Sequence, residues 1–410
     1  MRLIYYLAMN AYRLMVWLAS PFNGKARLFV TGRKGLFRDL EDATAHWQRV
    51  VWFHCASLGE FEQGRPLMEA FRERHPEVKI LLTFFSPSGY QVRKNYQGAD
   101  YVTYLPIDTP AHARRMAAVV RPEQAFFIKY EYWYYLLHEL HRRNIPIYLV
   151  SAIFNKEQAF FKWYGGWFRR MLSFYLKIFV QDDASRHLLN DYHIHHVSVS
   201  GDTRFDRVKK IAQSSPSLPF IDRFKGDAPL VVAGSTWPPD EQLLISYFKE
   251  SKPSFKMVFA PHEVNRQNIE RIVSHFPDGE TLVWSEASGE EAGQARVLII
   301  DTIGMLSSLY GYGQLAYVGG GFGKGLHNIL EAATYGIPVI FGPNHGKFKE
   351  AMDLKTRGGG FAIHDYKELK PLMDDFITHP GQAQAAGEIA RSYVDARAGA
   401  THHILSEIFS

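Results

Sequence analysis

An α/β fold of two domains, each an open, mostly parallel sheet covered by helices, is what this sequence predicts, and three observations predict it. Short apolar strands alternate with helices from residue 50 onward. The alternation pauses at QSSPSLP, residues 213–219, and restarts at residue 230. Residues 316–348 read as strand, Gly-rich turn, helix and strand, a βαβ unit. A chain of 410 residues exceeds what one core organises, and 46% hydrophobic with 22% charged residues excludes a disordered protein. The single cysteine, Cys55, excludes an internal disulfide and fits a reducing compartment. Lys+Arg 47 against Asp+Glu 42 leaves a net charge of +5, a mild excess that suits an anionic membrane surface or a phosphorylated ligand without requiring either.

The chain begins with an amphipathic helix, residues 1–22. On a helical wheel Arg2, Asn10, Arg13 and Ser20 share one side with Tyr6 and Trp17, while Ile4, Leu7, Ala11, Leu14, Met15 and Leu18 fall on the other. A spanning orientation would bury Arg13 at a cost of roughly 2.5 to 3.5 kcal/mol, and no signal-peptide cleavage site follows. Lying in the membrane interface costs less, with Lys25, Arg27, Arg33, Lys34 and Arg38 beside anionic head groups. The alternative is a helix packed on the rest of the protein.

Residues 23–212 form the first α/β domain. Strands are expected at 50–55, 79–85, 101–105, 124–128, 147–150, 177–180 and 196–199, with a helix over 61–75 ended by Pro76. After the linker, 213–228, residues 229–381 form the second domain, with strands at 230–233, 257–259, 281–284, 297–300, 315–318, 339–341 and 361–363. The last helix, about 382–408 within the terminal segment 382–410, is long enough to cross back to the first domain. Two such domains leave a cleft, and ligands collect at the carboxyl ends of the strands.

Polar residues recur at those ends. Ser57, Gly59 and Glu60 follow the first strand; a carboxylate near helix N–H groups stays ionised and can accept a proton, although helix starts also attract Glu for stability alone. Lys129 and Glu131 follow another strand, as a structural ion pair or an acceptor site. In the second domain Gly234, Ser235 and Thr236 end the first strand, and Ser235 or Thr236 can cap the next helix or hold a phosphate. Pro261, His262 and Arg266 place an imidazole and a guanidinium at the next edge, and Gly304 closes Asp301-Thr302-Ile303-Gly304 at a third. The glycines from Gly319 to Gly325, with Lys324 among them, then lead into a helix expected at about 327–334. Missing side chains there suit either an anion held on backbone N–H groups or a tight turn. On that helix His327 and Glu331 are i and i+4 with Asn328 beside them, and Glu331 can accept from ribose hydroxyls.

Several chemistries are discounted. The chain has no Asp-x-Asp pair for a metal-bound nucleotide sugar, no His-Glu-x-x-His zinc motif, no Gly-x-Ser-x-Gly elbow and no Walker A loop, since Gly325 follows Lys324. His193, His195 and His196 read as surface or edge residues. Lys162, Trp163, Tyr164, Trp167, Phe168, Arg169 and Arg170 can stack RNA bases or face a membrane.

Through HCASLGE, Gly234-Ser235-Thr236, Ala260-Pro261-His262 with Arg266, Asp301-Thr302-Ile303-Gly304 and HNILEAATYGIPVIFGPN, nearly the whole chain resembles the 3-deoxy-D-manno-octulosonic acid (Kdo) transferases of lipopolysaccharide synthesis. The resemblance implies a GT-B glycosyltransferase with two Rossmann-like domains facing across a cleft, on the cytoplasmic face of a bacterial inner membrane. It implies CMP-Kdo as donor and a lipid A precursor, a tetraacyl glucosamine disaccharide phosphate, as acceptor. No cofactor, no Asp-x-Asp metal and no nucleic acid are expected.

By the same resemblance Glu60 matches the family's proposed general base. Glu131 and Trp133 match the acceptor-side positions of a motif that usually reads Glu-Thr-Glu-Leu-Trp. Lys129 replaces its first glutamate, Tyr130 its threonine and Tyr132 its leucine, which exchanges a negative charge for a positive one near the acceptor. Pro261, His262, Arg266, Gly325, Asn328 and Glu331 match donor-side motifs. The usual Arg-His pair is here His262-Glu263, which leaves Arg266 as the expected phosphate ligand, with Gly323 and Lys324 at the Gly-rich turn.

Overall fold

Strands of three to seven mostly apolar residues, bracketed by turn-forming residues, are buried through most of each sheet, as parallel strands covered by helices must be, while the edge strands Val197–Val199 and Thr281–Val283 are half-buried. The computed structural model describes residues 1–251, 255–289, 291–323 and 325–409, and the strands fall into two separate parallel sheets. Lys324 lies outside the described residues.

The first sheet comprises β1 (Val50–Cys55), β2 (Lys79–Phe84), β3 (Tyr101–Tyr104), β4 (Gln124–Ile128), β5 (Ile147–Ala152), β6 (Lys177–Val180) and β7 (Val197–Val199), in the order β3-β2-β1-β4-β5-β6-β7. The second comprises β8 (Leu230–Thr236), β9 (Lys256–Pro261), β10 (Thr281–Val283), β11 (Val297–Ile299), β12 (Leu315–Val318), β13 (Val339–Phe341) and β14 (Gly360–Ala362), in the order β10-β11-β9-β8-β12-β13-β14. In each sheet the order reverses beside the first strand, between β1 and β4 and between β8 and β12, and at such a reversal helices leave to opposite faces and open a crevice at the carboxyl ends.

Contacts divide the chain into two compact units, residues 1–207 with 398–410 and residues 208–397. Three expectations change in detail. The stretch expected as a linker, 213–228, carries helix: Arg204–Gln213 runs into its start with the unit boundary inside that helix, and Pro219–Lys225 fills its middle, started by Pro219 at its first position. The expected single last helix is two, Pro380–Asp395 and Ala400–Phe409, broken at Gly399, whose φ of +116° is outside the range of a helical residue. The second of these packs Ile404 and Leu405 into the first unit's core with Phe61 and Phe71, and Asp206 accepts the Gly399 and Thr401 N–H groups. The helix expected at 327–334 is a single turn, Leu330–Ala333.

The amino-terminal helix, Arg2–Ala19, buries none of its residues. It is fastened by Tyr5, whose hydroxyl donates to the buried Asp108 (2.7 Å) and whose ring packs on Tyr134, Tyr135 and Trp167, and by Tyr12 against Phe29 and Phe85. Leu3, Ile4, Leu7, Leu14, Met15 and Leu18 are each 55–68% exposed. Among the described residues no helix is long and apolar enough to cross a membrane. In the aromatic-basic stretch, Trp167 and Phe168 pack on the core and Arg169 donates to the Phe160 carbonyl, while Trp163 is 95% exposed.

Candidate functional site

The reversal in the first sheet brings the ends of β1 and β4 side by side. β1 reads VVWFHC, and a histidine in a strand otherwise apolar and wholly buried needs a partner. His54 finds two: Nε2 lies 3.0 Å from Glu131 Oε2, and Nδ1 lies 2.9 Å from Thr83 Oγ1 and 3.1 Å from its carbonyl. Trp52 Nε1 donates to the same Thr83 hydroxyl (2.8 Å), and Trp133 Nε1 donates to Glu131 Oε2. Tyr175 donates its hydroxyl to the Glu131 carbonyl. Glu131, 2% exposed, is therefore the centre of a buried polar network across three strands. Of the two alternatives for Lys129 and Glu131, the ion pair does not form: Glu131 turns inward to His54, and the Lys129 ammonium sits 5.4 Å from the Tyr130 ring. Lys129, the first residue past β4, holds φ at +74°, a strained value for a residue other than glycine.

One turn away, the helix after β1 spans Leu58–Arg74, three residues longer at its start than expected, so Glu60 stands in its first turn. Ser57 caps the helix, its hydroxyl accepting the Gly59 N–H and donating to Glu60 Oε2. Glu60 is half-buried. Its charge and that of Asp182, behind burial itself, raise the pKa of the half-exposed Tyr130 hydroxyl, and burial with Glu131, Glu60 and Glu62 pushes the Cys55 thiol well up. Cys55 is thus an inert core residue. His54 is the member of this cluster that the sequence reading missed; a lone histidine in an apolar strand was the available signal.

The reversal in the second sheet is built differently. Gly319 and Gly320 follow β12 directly beside β8: the Gly319 N–H donates to the Gly234 carbonyl (2.9 Å), and a Cβ on Gly319 would stand 2.4 Å from the Ser235 carbonyl oxygen. Gly320 has φ +91° and gives its N–H to Asp240 Oδ2 (3.0 Å). Asp240, fully buried, also accepts the Trp237 N–H (2.9 Å) and the Tyr317 hydroxyl (2.8 Å). Burial raises its pKa, and those three donors oppose the rise.

The cap expected at Ser235 or Thr236 lies one residue on, at Trp237, closed by Asp240, because Thr236 is buried and spends its hydroxyl on Glu241 (2.9 Å), which in turn pairs with Arg271. Ser235 has φ +52° beside a register shift between β8 and β9. Beyond Pro261, the His262 N–H donates to the Thr236 carbonyl, and the His262 ring stacks between Trp237 (4.7 Å) and His327 (4.4 Å). Trp237 Nε1 donates to His327 Nε2 (3.1 Å). Burial, then the neighbouring His262, depresses the His327 pKa to about 4, so this ring is neutral at pH 7.

The remaining donor-side positions are less tightly joined. His327 precedes the helix that was expected to carry it, so the i and i+4 pairing with Glu331 does not arise; Glu331 instead accepts from Asn328 Nδ2 (3.1 Å) and Ser307 Oγ (2.7 Å). Gly304 has φ +100° in an open turn, Gly323 closes a turn on the Gly320 carbonyl, and Gly325, φ +147°, faces Phe348. Arg266 opens the helix Arg266–Val273 almost fully exposed, its guanidinium paired with Glu270 on the same helix (2.6 Å).

Two parallel sheets of seven strands, each with polar groups gathered at its point of reversal, make a GT-B-like α/β fold. In fold the chain is similar to UDP-N-acetylglucosamine 2-epimerases: one matches with TM-score 0.61 at 15% identity, covering 88% of this chain and 95% of that one, and another, from Neisseria meningitidis with UDP-GlcNAc bound, with 0.59 at 14%, covering 88% and 99%. In sequence, residues 30–207 match the family model described as 3-deoxy-D-manno-octulosonic-acid transferase (kdotransferase). The chain is 27% identical to the 3-deoxy-D-manno-octulosonic acid transferase of Bordetella pertussis over 99% of its own length and 98% of the relative's. It is 26% identical to that of Aquifex aeolicus over 80% and 86%. In sequence the chain is thus related to the Kdo transferases over nearly its whole length, and in fold it is GT-B-like.

Proposed function

We propose that the protein transfers Kdo from CMP-Kdo to a lipid A precursor with inversion at the anomeric carbon. The observation that carries this reading is the end-to-end relation to Kdo transferases. In the proposed mechanism the first unit holds the acceptor. Glu60, fixed by Ser57 in the first helical turn, takes the proton from the attacking hydroxyl, whose oxygen bonds the anomeric carbon as the bond to the CMP phosphate breaks. Gly59, Trp133 and Lys129 border the acceptor, and the buried Glu131 network behind them keeps Trp133 in one orientation. The second unit holds the donor: the Gly234–Thr236 turn and the glycine turn at Gly323 and Gly325 border the phosphate, with Arg266 and the His262 platform beside it, and Glu331 with Asn328 faces the ribose. A neutral His327 supports stacking and hydrogen bonding without adding positive charge.

A second reading keeps the fold and changes the donor: the fold is shared with UDP-GlcNAc epimerases, one of them with its UDP-sugar bound. Incubating the protein with a lipid A precursor and, in turn, CMP-Kdo, UDP-GlcNAc and UDP-glucose, followed by mass spectrometry of the lipid, separates the two. Product only with CMP-Kdo is expected; turnover of a UDP-sugar alone sinks the first reading.

The exposed apolar side of Arg2–Ala19 fits a peripheral place on the cytoplasmic face of the inner membrane, with the basic residues from Lys25 to Arg38 near anionic lipid. Removing residues 1–20 is expected to shift the protein out of the floating fraction in liposome flotation at moderate salt; unchanged flotation rejects that placement.

A further inference from the structure

One side of the amino-terminal helix, Asn10, Arg13, Leu14 and Trp17 at i, i+3, i+4 and i+7, forms a wall of a cavity of about 710 Å³. That volume is in the range of sites that take a whole small molecule. The opposite walls come from Phe29, Val30, Leu36 and Phe37 and from Pro106 and Ile107 after β3, so the floor is hydrocarbon and aromatic ring. Its polar lining is cationic: Arg13, Arg33 and Lys34, with Asn10 and His112, and no carboxylate among the described lining residues.

Arg33 is the telling member. Its guanidinium donates to three carbonyls, Leu105 (2.9 Å), Phe29 (3.0 Å) and Phe85 (2.7 Å), and lies over the rings of Phe29 (3.6 Å) and Tyr104 (4.7 Å). Three of its five N–H groups are thereby used and its charge meets no counter-ion among the described residues. Burial lowers its pKa to about 9. A cation held this way in a cavity wall gains from an anion brought to it.

Packed rings join the cavity wall to the candidate acceptor site. The Phe29 ring touches Phe85 (5.3 Å), Phe85 packs on Trp133 (4.5 Å), and Trp133 bonds Glu131. We infer that this cavity binds one hydrocarbon chain of the amphiphilic acceptor, with the acceptor's anionic group against Arg13, Arg33 and Lys34 and its sugar end toward Trp133. The assignment deepens the proposed function and rests on its acceptor half, not on the identity of the donor. An apolar chain leaves water for the Leu14, Val30 and Ile107 surface, and the three cations select an anionic head over a neutral one.

The test is first a binding measurement that needs no turnover. Monomeric dodecyl phosphate carrying bromine on its chain is titrated into the full-length protein, and tryptophan fluorescence is followed. Saturable quenching is expected, most of its amplitude lost in Trp17→Phe, with dodecyl maltoside brominated on the same chain bound at least tenfold more weakly than the phosphate. Val30→Trp, which fills the cavity, is expected to weaken dodecyl phosphate at least tenfold. Arg13→Glu with Lys34→Glu, which leaves the packing alone, is expected to do the same should the filled variant fail to fold. Leu7→Ser, on the helix but outside the cavity lining, is expected to leave this binding unchanged. Quenching that survives in Trp17→Phe, or wild-type affinity in the charge-reversed protein, overturns the site. The second measurement is steady-state transfer: Val30→Trp should raise KM for the acylated acceptor at least fivefold, with kcat within twofold and no change for a deacylated acceptor. Equal KM changes for both acceptors overturn the acyl-chain assignment. If CMP-Kdo proves not to be the donor, the quenching result still decides the cavity.

Discussion

The two points of strand reversal use the same topology and opposite materials. Between β1 and β4 the groups are ionisable side chains: Glu60 on a capped first turn, and Glu131 buried against His54 and Trp133. Between β8 and β12 they are backbone and neutral rings: glycines packed too closely for a Cβ, N–H groups tied to Asp240, and a Trp237–His262–His327 stack. A site that must move a proton needs a titratable side chain, whereas a site that must hold a leaving phosphate gains more from fixed dipoles. The difference teaches that one crevice topology can be furnished in two ways, with ionisable side chains in one unit and with bare backbone and neutral rings in the other.

Replacing Glu60 by Gln gives the widest test of that contrast. If Glu60 is the base, kcat falls by roughly 10² to 10⁴-fold, while CMP affinity, belonging to the other unit, stays unchanged. If it serves only the helix start, stability falls by about 0.3 to 1 kcal/mol and kcat survives. Measuring kcat, CMP affinity and melting temperature on one preparation separates the roles, and kcat above about a tenth of wild type moves the base elsewhere, Glu131 first.

Removing the network's centre is next in size. Glu131→Ala removes the buried carboxylate partner of His54 Nε2 and Trp133 Nε1 and is expected to cost about 1.5 to 3 kcal/mol in denaturant unfolding. A loss below half of that contradicts a buried, satisfied network.

On the other side, Gly319→Ala forces a methyl group against the Ser235 carbonyl and is expected to cost about 1 to 3 kcal/mol and to weaken CMP with it. Wild-type CMP affinity in a folded Gly319→Ala protein rejects the turn as a phosphate site.

Acidification acts on the ring stack. His327 holds its folded pKa near 4, below the ordinary histidine value of 6.5, so between those values the unfolded chain binds more protons and stability falls as pH drops from 6.5 toward 4. His327→Gln should flatten that part of a melting temperature against pH profile. Asp108 contributes in the opposite sense: burial raises its pKa to about 6 from 3.8, so its share of stability is present below 3.8 and is lost as pH rises to 6. Asp108→Asn therefore steepens the acid side where His327→Gln shallows it, and identical profiles count against both.

Arg266→Ala has the smallest structural effect. Its ion pair with Glu270 is exposed, so stability should stay within about 0.5 kcal/mol, and calorimetric titration with CMP should show weaker binding if the guanidinium reaches phosphate. Unchanged CMP affinity removes it from the donor site.

The sequence by itself determined the strands and their class. Apolar runs such as VVWFHC and QAFFI, bounded by Pro, Gly and Asp, are local signals, and each expected strand appears within a few residues of its place. It also placed Glu60, Glu131 and the glycines at strand ends, because those positions follow from counting along the chain. Only the tertiary structure decided which ends are neighbours. That Glu131 faces His54 and not Lys129, that Asp240 holds Gly320 eighty residues away, and that His262 lies between Trp237 and His327 depend on strand order and on where backbone is too crowded for side chains. Helix ends were legible least. The turn at Leu330–Ala333 and the break at Gly399 arise from packing and left-handed φ values that a hydrophobic pattern does not encode, since a pattern records which residues seek burial and not which partners they meet.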